Sequence, residues 1–246
     1  MLKTNGIRAI LFDLDGTLRH NKPVASHVFL DYAVQLGLPD STQKRQANLR
    51  WVHYYWAQSP EMFADLAAYN NELSNPFWIQ YARRCLAAFG ADPATAEQLA
   101  PEIQRLMQER YDPICENWIP DDVPVTLRML RQAGFCLGLV SNRSKPFVEE
   151  LEKMGLASYF DFTMTAGEVN AWKPEPEIFV HALDRCDLKP EQAVYVGDNY
   201  YADIIGAQNA GLLPVLIDPD HLFPEATCAV IRTIGELPAL LAQEGP

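Results

Sequence analysis

The sequence predicts an α/β protein, a doubly wound parallel sheet interrupted by an inserted all-helical domain. Three observations carry this. Short, nearly unbroken apolar runs at 7–12, 135–140 and 193–196 suit strands covered on both faces. Such runs alternate with segments of helical period, the pattern of a sheet wound by crossover helices. Between about residues 25 and 112 helical period alone appears, so that block reads as an insertion.

The first strand, 7–12, runs into Asp13 and Asp15. On an extended backbone the i, i+2 spacing puts both carboxylates on one side. Gly16 lets the chain leave the strand in a conformation closed to other residues. Two like charges this close repel unless a cation lies between them or one keeps a proton. Both escapes are useful: a divalent-metal site, or a nucleophile beside an acid/base. Taken alone, Asp-x-Asp-Gly also fits an ordinary solvated turn. Residues 19–24 are polar and contain Pro23, so Arg19 and His20 read as a solvated loop.

Helices follow at 25–36, closed by Gly37 and Pro39; at 42–56, with Ser41 as its N-cap; and at 61–69, 76–89 and 93–111. Leu99, Ile103, Leu106 and Met107 form the apolar stripe of the last. The spacing of Trp51, Tyr54, Tyr55, Trp56, Phe77, Trp78 and Tyr81 mostly suits packing within this block and leaves one or two of them to line the mouth of a site. Asp112-Pro113 and Ile119-Pro120 bracket the return. A helix at 123–133, a strand at 135–140 ending in Ser141-Asn142, a helix at 145–154 and a strand at 160–165 come next. Then come a helix at 176–186, a strand at 193–196 ending in Gly197-Asp198, and a helix at 203–210. Strands at 214–217 and 229–231 and a helix at 235–242 complete the chain. The expected domains are 1–19 with 119–246 for the sheet, and 20–118 for the helical insertion.

Open parallel sheets bind ligands beyond the C-terminal ends of their strands. There the first strand delivers Asp13 and Asp15, the second Ser141 and Asn142, and the fourth Asp198 and Asp203. Lys173 lies in the loop after the third. Helix capping and solvated turns alone do not account for four segments bringing carboxylates, a hydroxyl and an ammonium to one edge.

The 246 residues are 48% hydrophobic, with a formal net charge of −12. Such acidity argues against a nucleic-acid or anionic-membrane partner. It also requires an anionic substrate to meet a few placed cations or a metal. Five cysteines without a Cys-x-x-Cys pair fit buried thiols in a reducing compartment. The N-terminal apolar run is too short for a signal peptide or a membrane span, so a cytoplasmic protein is expected. Monomer and homodimer both remain open.

Asp13-Leu14-Asp15-Gly16-Thr17-Leu18, Ser141-Asn142, Lys173-Pro174 and Gly197-Asp198-Asn199-Tyr200-Tyr201-Ala202-Asp203 resemble, in order, the four motifs of the haloacid dehalogenase superfamily. The insertion after the first motif resembles that family's cap domain. The resemblance spans the whole chain. It implies a Mg2+-dependent phosphatase with a Rossmann-like core, acting on a small phosphorylated metabolite through an aspartyl-phosphate. Asp13 would be the nucleophile and a metal ligand, and Asp15 the acid/base, kept protonated by its neighbouring carboxylate. The Asp15 main-chain carbonyl and Asp198 would complete the protein ligands, hard oxygens that suit Mg2+. Ser141 and Asn142 would bind phosphate, and Lys173 would neutralise charge on the transferring group. Asp203, Thr17 and Asn199 would support these residues, Asp203 by bonding Lys173. A phosphomutase would use the same residues. A 2-haloacid dehalogenase would not need Asp15, because a halide leaves without a proton. An idle interaction scaffold would not need the intact acid set.

Overall fold

The computed structural model describes residues 6–111 and 117–242; Asp112, Pro113 and Cys115 lie outside these. The chain forms two compact units, Met1–His20 with Trp118–Pro246, and Asn21–Asn117. Strand β1 spans Ala9–Phe12, and the short β2 (His20–Asn21) follows the acidic turn. Five helices build the second unit: α1 (Ala25–Gln35), α2 (Thr42–Trp56), α3 (Pro60–Ala68), α4 (Asn75–Ala88) and α5 (Pro93–Tyr111). Strand β3 (Asn117–Trp118) pairs with β2 in a ribbon too short to leave a periodic signal.

There follow α6 (Asp122–Gln132), β4 (Cys136–Ser141), α7 (Val148–Lys153), β5 (Phe162–Thr165), α8 (Ala166–Val169) and α9 (Pro176–Cys186). Then come β6 (Ala193–Gly197), α10 (Gly206–Asn209), β7 (Leu213–Ile217), β8 (Ala229–Ile231) and α11 (Leu237–Leu241). The sheet order is β5-β4-β1-β6-β7-β8, and every pair is parallel. This is the doubly wound architecture that the sequence predicts. Among the described residues no helix is long and apolar enough to cross a membrane.

Strand β1 lies at the centre, and its residues alternate between two cores. Ile10 and Phe12 pack with Leu127, Leu130, Leu139 and Val196 on one face. Ala9 and Leu11 pack with Ile178, Phe179 and Tyr195 on the other. Burying both faces explains the unbroken apolar run.

Three elements depart from expectation. Helix α7 begins at Val148, not 145, because Pro146 biases Lys145 away from helical backbone. Helix α8 is an addition, nucleated by a capping box between Thr165 and Glu168. The helix expected at 203–210 starts earlier, as a wide π-helical turn over Tyr200–Ile205 that flows into α10.

In the helical unit, Ser41 caps α2 by accepting from the Lys44 N–H. Tyr55 and Phe77 are fully buried beside Met62. Tyr55 donates to Asp65, a buried carboxylate that Arg84 also grips at 2.6 and 2.8 Å. The other aromatics are not all core. Trp56, Trp78 and Tyr81 line a cavity of about 690 Å3 together with Asn48 and Gln104.

Candidate active site

The parallel register brings the polar strand ends together. Phe12 is level with Leu139 of β4 and Val196 of β6, so Asp13 leaves β1 level with Val140, one residue before Ser141, and with Gly197. The Asp13 N–H still bonds the Val196 carbonyl at 2.9 Å, which holds it to the sheet. Beyond it the chain turns sharply, and the Leu18 and Arg19 N–H groups both return to the Leu14 carbonyl.

Gly16 is required there twice over. Its φ is +93°, and a Cβ would lie 2.3 Å from Asp198 Oδ2. Gly197 likewise leaves room for Asp203, whose carboxylate carbon would sit 2.4 Å from an added Cβ.

Lys173 is the hub, only 2% exposed. Its ammonium donates to Asp13 Oδ1 at 2.5 Å, Asp203 Oδ1 at 2.7 Å and the Tyr195 hydroxyl at 3.0 Å. Tyr195 in turn donates to the Val140 carbonyl at 3.0 Å. Asn142 holds the lysine's backbone from both sides: its amide donates to the Lys173 carbonyl at 2.8 Å, and its oxygen accepts from the Lys173 N–H at 2.7 Å. Both ends of the carboxamide expected to bind phosphate therefore serve to position Lys173. Ser141 is buried at the end of β4.

Asp203 accepts from Lys173, and its second oxygen accepts from the Asn199 N–H at 2.9 Å. Asn199 itself caps the π-helical turn through the Tyr201 and Ala202 N–H groups. The Thr17 hydroxyl donates to Asp198 Oδ1 at 3.1 Å, linking the first and last motifs.

Asp15 behaves differently from expectation. It lies apart from this cluster in its bonding, gripped by Arg143 at 2.9 and 3.0 Å and by Arg19 at 2.8 Å. Burial pushes its carboxyl up, but the two guanidiniums outweigh burial and hold it below the usual range. The expectation that a neighbouring carboxylate keeps Asp15 protonated is therefore corrected: here it is the better ionised acid of the pair. Arg19, read as a solvated loop residue, is one of its partners.

Asp13 shows the opposite trend. Burial raises it to about 7, against the pull of Lys173 and with the help of Asp203 and Asp15. Asp198 is pushed well above the ordinary range by burial, then by Asp13 and Asp203. Burial lowers the Lys173 pKa, but Asp13 and Asp203 overcome it and keep the ammonium charged.

Carboxylate oxygens of Asp13, Asp198 and Asp203 lie within 4.8 Å of one another. Three hard oxygen donors, two of them held above their ordinary range by burial and, after it, by neighbouring carboxylates, fit a divalent cation such as Mg2+.

Sequence reasoning missed Tyr195 and Arg143. Tyr195 is the one hydroxyl in the apolar run of β6, and Arg143 directly follows Ser141-Asn142. Neither signal separates a site residue from an ordinary core tyrosine or surface arginine without the fold.

The chain is similar to known proteins along nearly its whole length. The profile of the haloacid dehalogenase-like hydrolase family matches residues 7–211. Haloacid dehalogenase-like hydrolase domain-containing protein 3 of Danio rerio is 26% identical over 251 residues, covering 96% of each chain. A HAD phosphatase from Thermococcus onnurineus superposes with a TM-score of 0.56 at 26% identity, over 97% of this chain and 99% of that one. A 2-haloacid dehalogenase from Pseudomonas syringae superposes with a TM-score of 0.54, also at 26% identity, over 96% and 98%.

Proposed function

Since the chain belongs to the haloacid dehalogenase-like hydrolase family, we propose that it is a Mg2+-dependent phosphatase of a small phosphorylated metabolite, working through an aspartyl-phosphate on Asp13. The observation that carries the reading is the Lys173 ammonium seated between Asp13 and Asp203, with Asp198 alongside. A buried lysine fixing one oxygen of a strand-end carboxylate orients that carboxylate for attack and offsets charge on a phosphoryl group.

An Asp13 oxygen attacks phosphorus and the bond to the substrate oxygen breaks. The leaving oxygen takes a proton from Asp15, and Asp15 then accepts a proton from the water that hydrolyses the acyl phosphate. Asp15 has to bind a proton for this, so the ion pairs with Arg143 and Arg19 loosen when substrate enters. Ser141 donates to a phosphoryl oxygen, while Asn142 and Tyr195 hold Lys173 in place. Mg2+, when bound, neutralises phosphoryl charge; the Asp13 and Asp198 carboxylates and the Asp15 main-chain carbonyl would hold it, with Asp203 and Thr17 in support. The helical unit, read as a cap, would select the substrate.

The presence of Asp15 supports phosphatase over dehalogenase chemistry. The test is phosphate release from para-nitrophenyl phosphate, with Mg2+ and with EDTA, by wild type and Asp13→Asn. Turnover that needs Mg2+ and vanishes in Asp13→Asn is expected. Metal-independent turnover, or full activity in the variant, overturns the assignment.

A further inference from the structure

Cys136 and Cys186 stand away from the catalytic edge. Cys136 opens β4, whose far end carries Ser141, and Cys186 closes α9. Five strand steps of about 3.3 Å put Cys136 some 16 Å from Ser141. The two Sγ atoms are 2.8 Å apart, closer than unbonded sulfurs pack, and both residues are half-buried. A small cavity of about 210 Å3 reaches both residues and is lined also by Arg8, Gly134 and Leu188. It has room for a small oxidant.

From this geometry we infer that Cys136 and Cys186 form a redox-sensitive thiol pair, oxidised by hydroperoxides to a reversible disulfide between β4 and α9. The sulfurs need to approach by less than 1 Å to reach the bond length of about 2.05 Å.

The reaction balances with the peroxide as sole oxidant. The Cys136 sulfur attacks one peroxide oxygen and gives up its thiol proton, the O–O bond breaks, and the departing hydroxide takes up that proton as water. This leaves a sulfenic acid on Cys136. The Cys186 sulfur then attacks the sulfenic sulfur; the S–O bond breaks, and hydroxide leaves with the Cys186 proton as a second water. Two thiols lose two electrons, and the peroxide gains them.

The order of events follows from the surroundings. Burial pushes the Cys186 thiol up to about 12, and its hydrogen bond to Cys136 and the charge of Asp161 act in the same direction. Cys186 therefore keeps its proton and acts second. Cys85 is buried in the helical unit, its thiol pushed up to about 12 by burial, and Cys228 has no thiol partner among the described residues.

The test is thiol titration under denaturing conditions, with peptide mapping, of wild-type protein before and after a few equivalents of hydrogen peroxide. Two of the five thiols should disappear, and the Cys136 and Cys186 peptides should be recovered joined, lighter by two hydrogen masses. Dithiothreitol should restore all five. Cys136→Ser and Cys186→Ser should each abolish the cross-link. An unchanged thiol count, a cross-link elsewhere, or sulfinic acid at Cys136 without a cross-link would overturn the inference. The wild-type measurement is decisive even if a variant folds poorly.

Discussion

Replacing Lys173 by Met tests the centre of the site. Methionine keeps the length and apolar stem of lysine but removes the ammonium that bonds Asp13 and Asp203. Two carboxylates then stay buried at 7% and 1% exposure with no cation between them. Breaking a buried pair in this way costs about 3–5 kcal/mol. For a chain of this size, about 2–4 °C per kcal/mol converts that cost to a fall in Tm of roughly 6–20 °C.

The loss should depend on pH, with a sign fixed by linkage. Asp13 already titrates near 7 beside Lys173, and losing the ammonium moves it higher still. Over the interval between the old and new values the folded variant binds more protons than the folded wild type. Its stability relative to wild type therefore falls as pH rises. The gap should be widest at pH 8 and narrow at pH 5, where Asp13 is protonated in both proteins. Thermal melts in EDTA at both pH values measure it, and phosphate release should fall at least ~100-fold, in line with loss of a charge-stabilising group. A variant melting within 1–2 °C of wild type (about half a kcal/mol) at pH 8, or a gap that widens at pH 5, would refute the account of Lys173 as the counter-charge of a buried acid pair.

Four further perturbations separate the parts of the molecule. Tyr195→Phe keeps the ring against Phe179, 4.9 Å between centroids, and removes only the hydroxyl bonded to Lys173. It should cost about 1–3 kcal/mol in thermal melts and lower kcat less than Lys173→Met does. Gly16→Ala meets both a φ of +93° and the Asp198 carboxylate; at least about 1–2 kcal/mol of backbone strain is expected, with Mg2+-dependent turnover lost in the phosphate assay. Trp78→Ala, at the cavity of the helical unit, should alter the ranking of kcat/KM across a panel of phosphorylated metabolites. Tyr55→Phe, which removes the bond to Asp65, should lower Tm and leave that ranking unchanged.

The sheet was legible because burial on both faces leaves a strong signature. Strands 9–12, 136–141 and 193–197 appear as apolar runs, and the residues that end them had to share one edge once the strands were parallel. Short features were not legible. The two-residue ribbon is below the length at which periodicity exists, while the capping box at Thr165 and Glu168 was readable in principle but precedes only one helical turn. The bond from Lys173 to Asp203 was implied by the family resemblance, beside a helix-capping role that the residue type fits equally. The bond from Tyr195 was not, because it depends on which face of β6 meets α9, which only packing decides.

The two acids of the first motif show where sequence logic reached its limit. Repulsion between near neighbours says that one acid binds a proton more readily, but not which one. The environment decides. Asp13 points into the buried cluster with Asp198 and Asp203, where burial first, and then the charges of Asp203 and Asp15, push it towards neutrality against the pull of Lys173. Asp15 points to Arg143 and Arg19, so it stays ionised. In the proposed phosphatase this arrangement has to change for turnover. A divalent cation would draw Asp13 and Asp198 back to their charged forms. A phosphate ester carries more negative charge than a single carboxylate, so it competes with Asp15 for the guanidiniums. An Asp15 released from them regains the ordinary carboxyl affinity for a proton that leaving-group protonation needs. On this reading cation and substrate together reverse the charge pattern of the two acids, and each acid takes up its role only when both are bound.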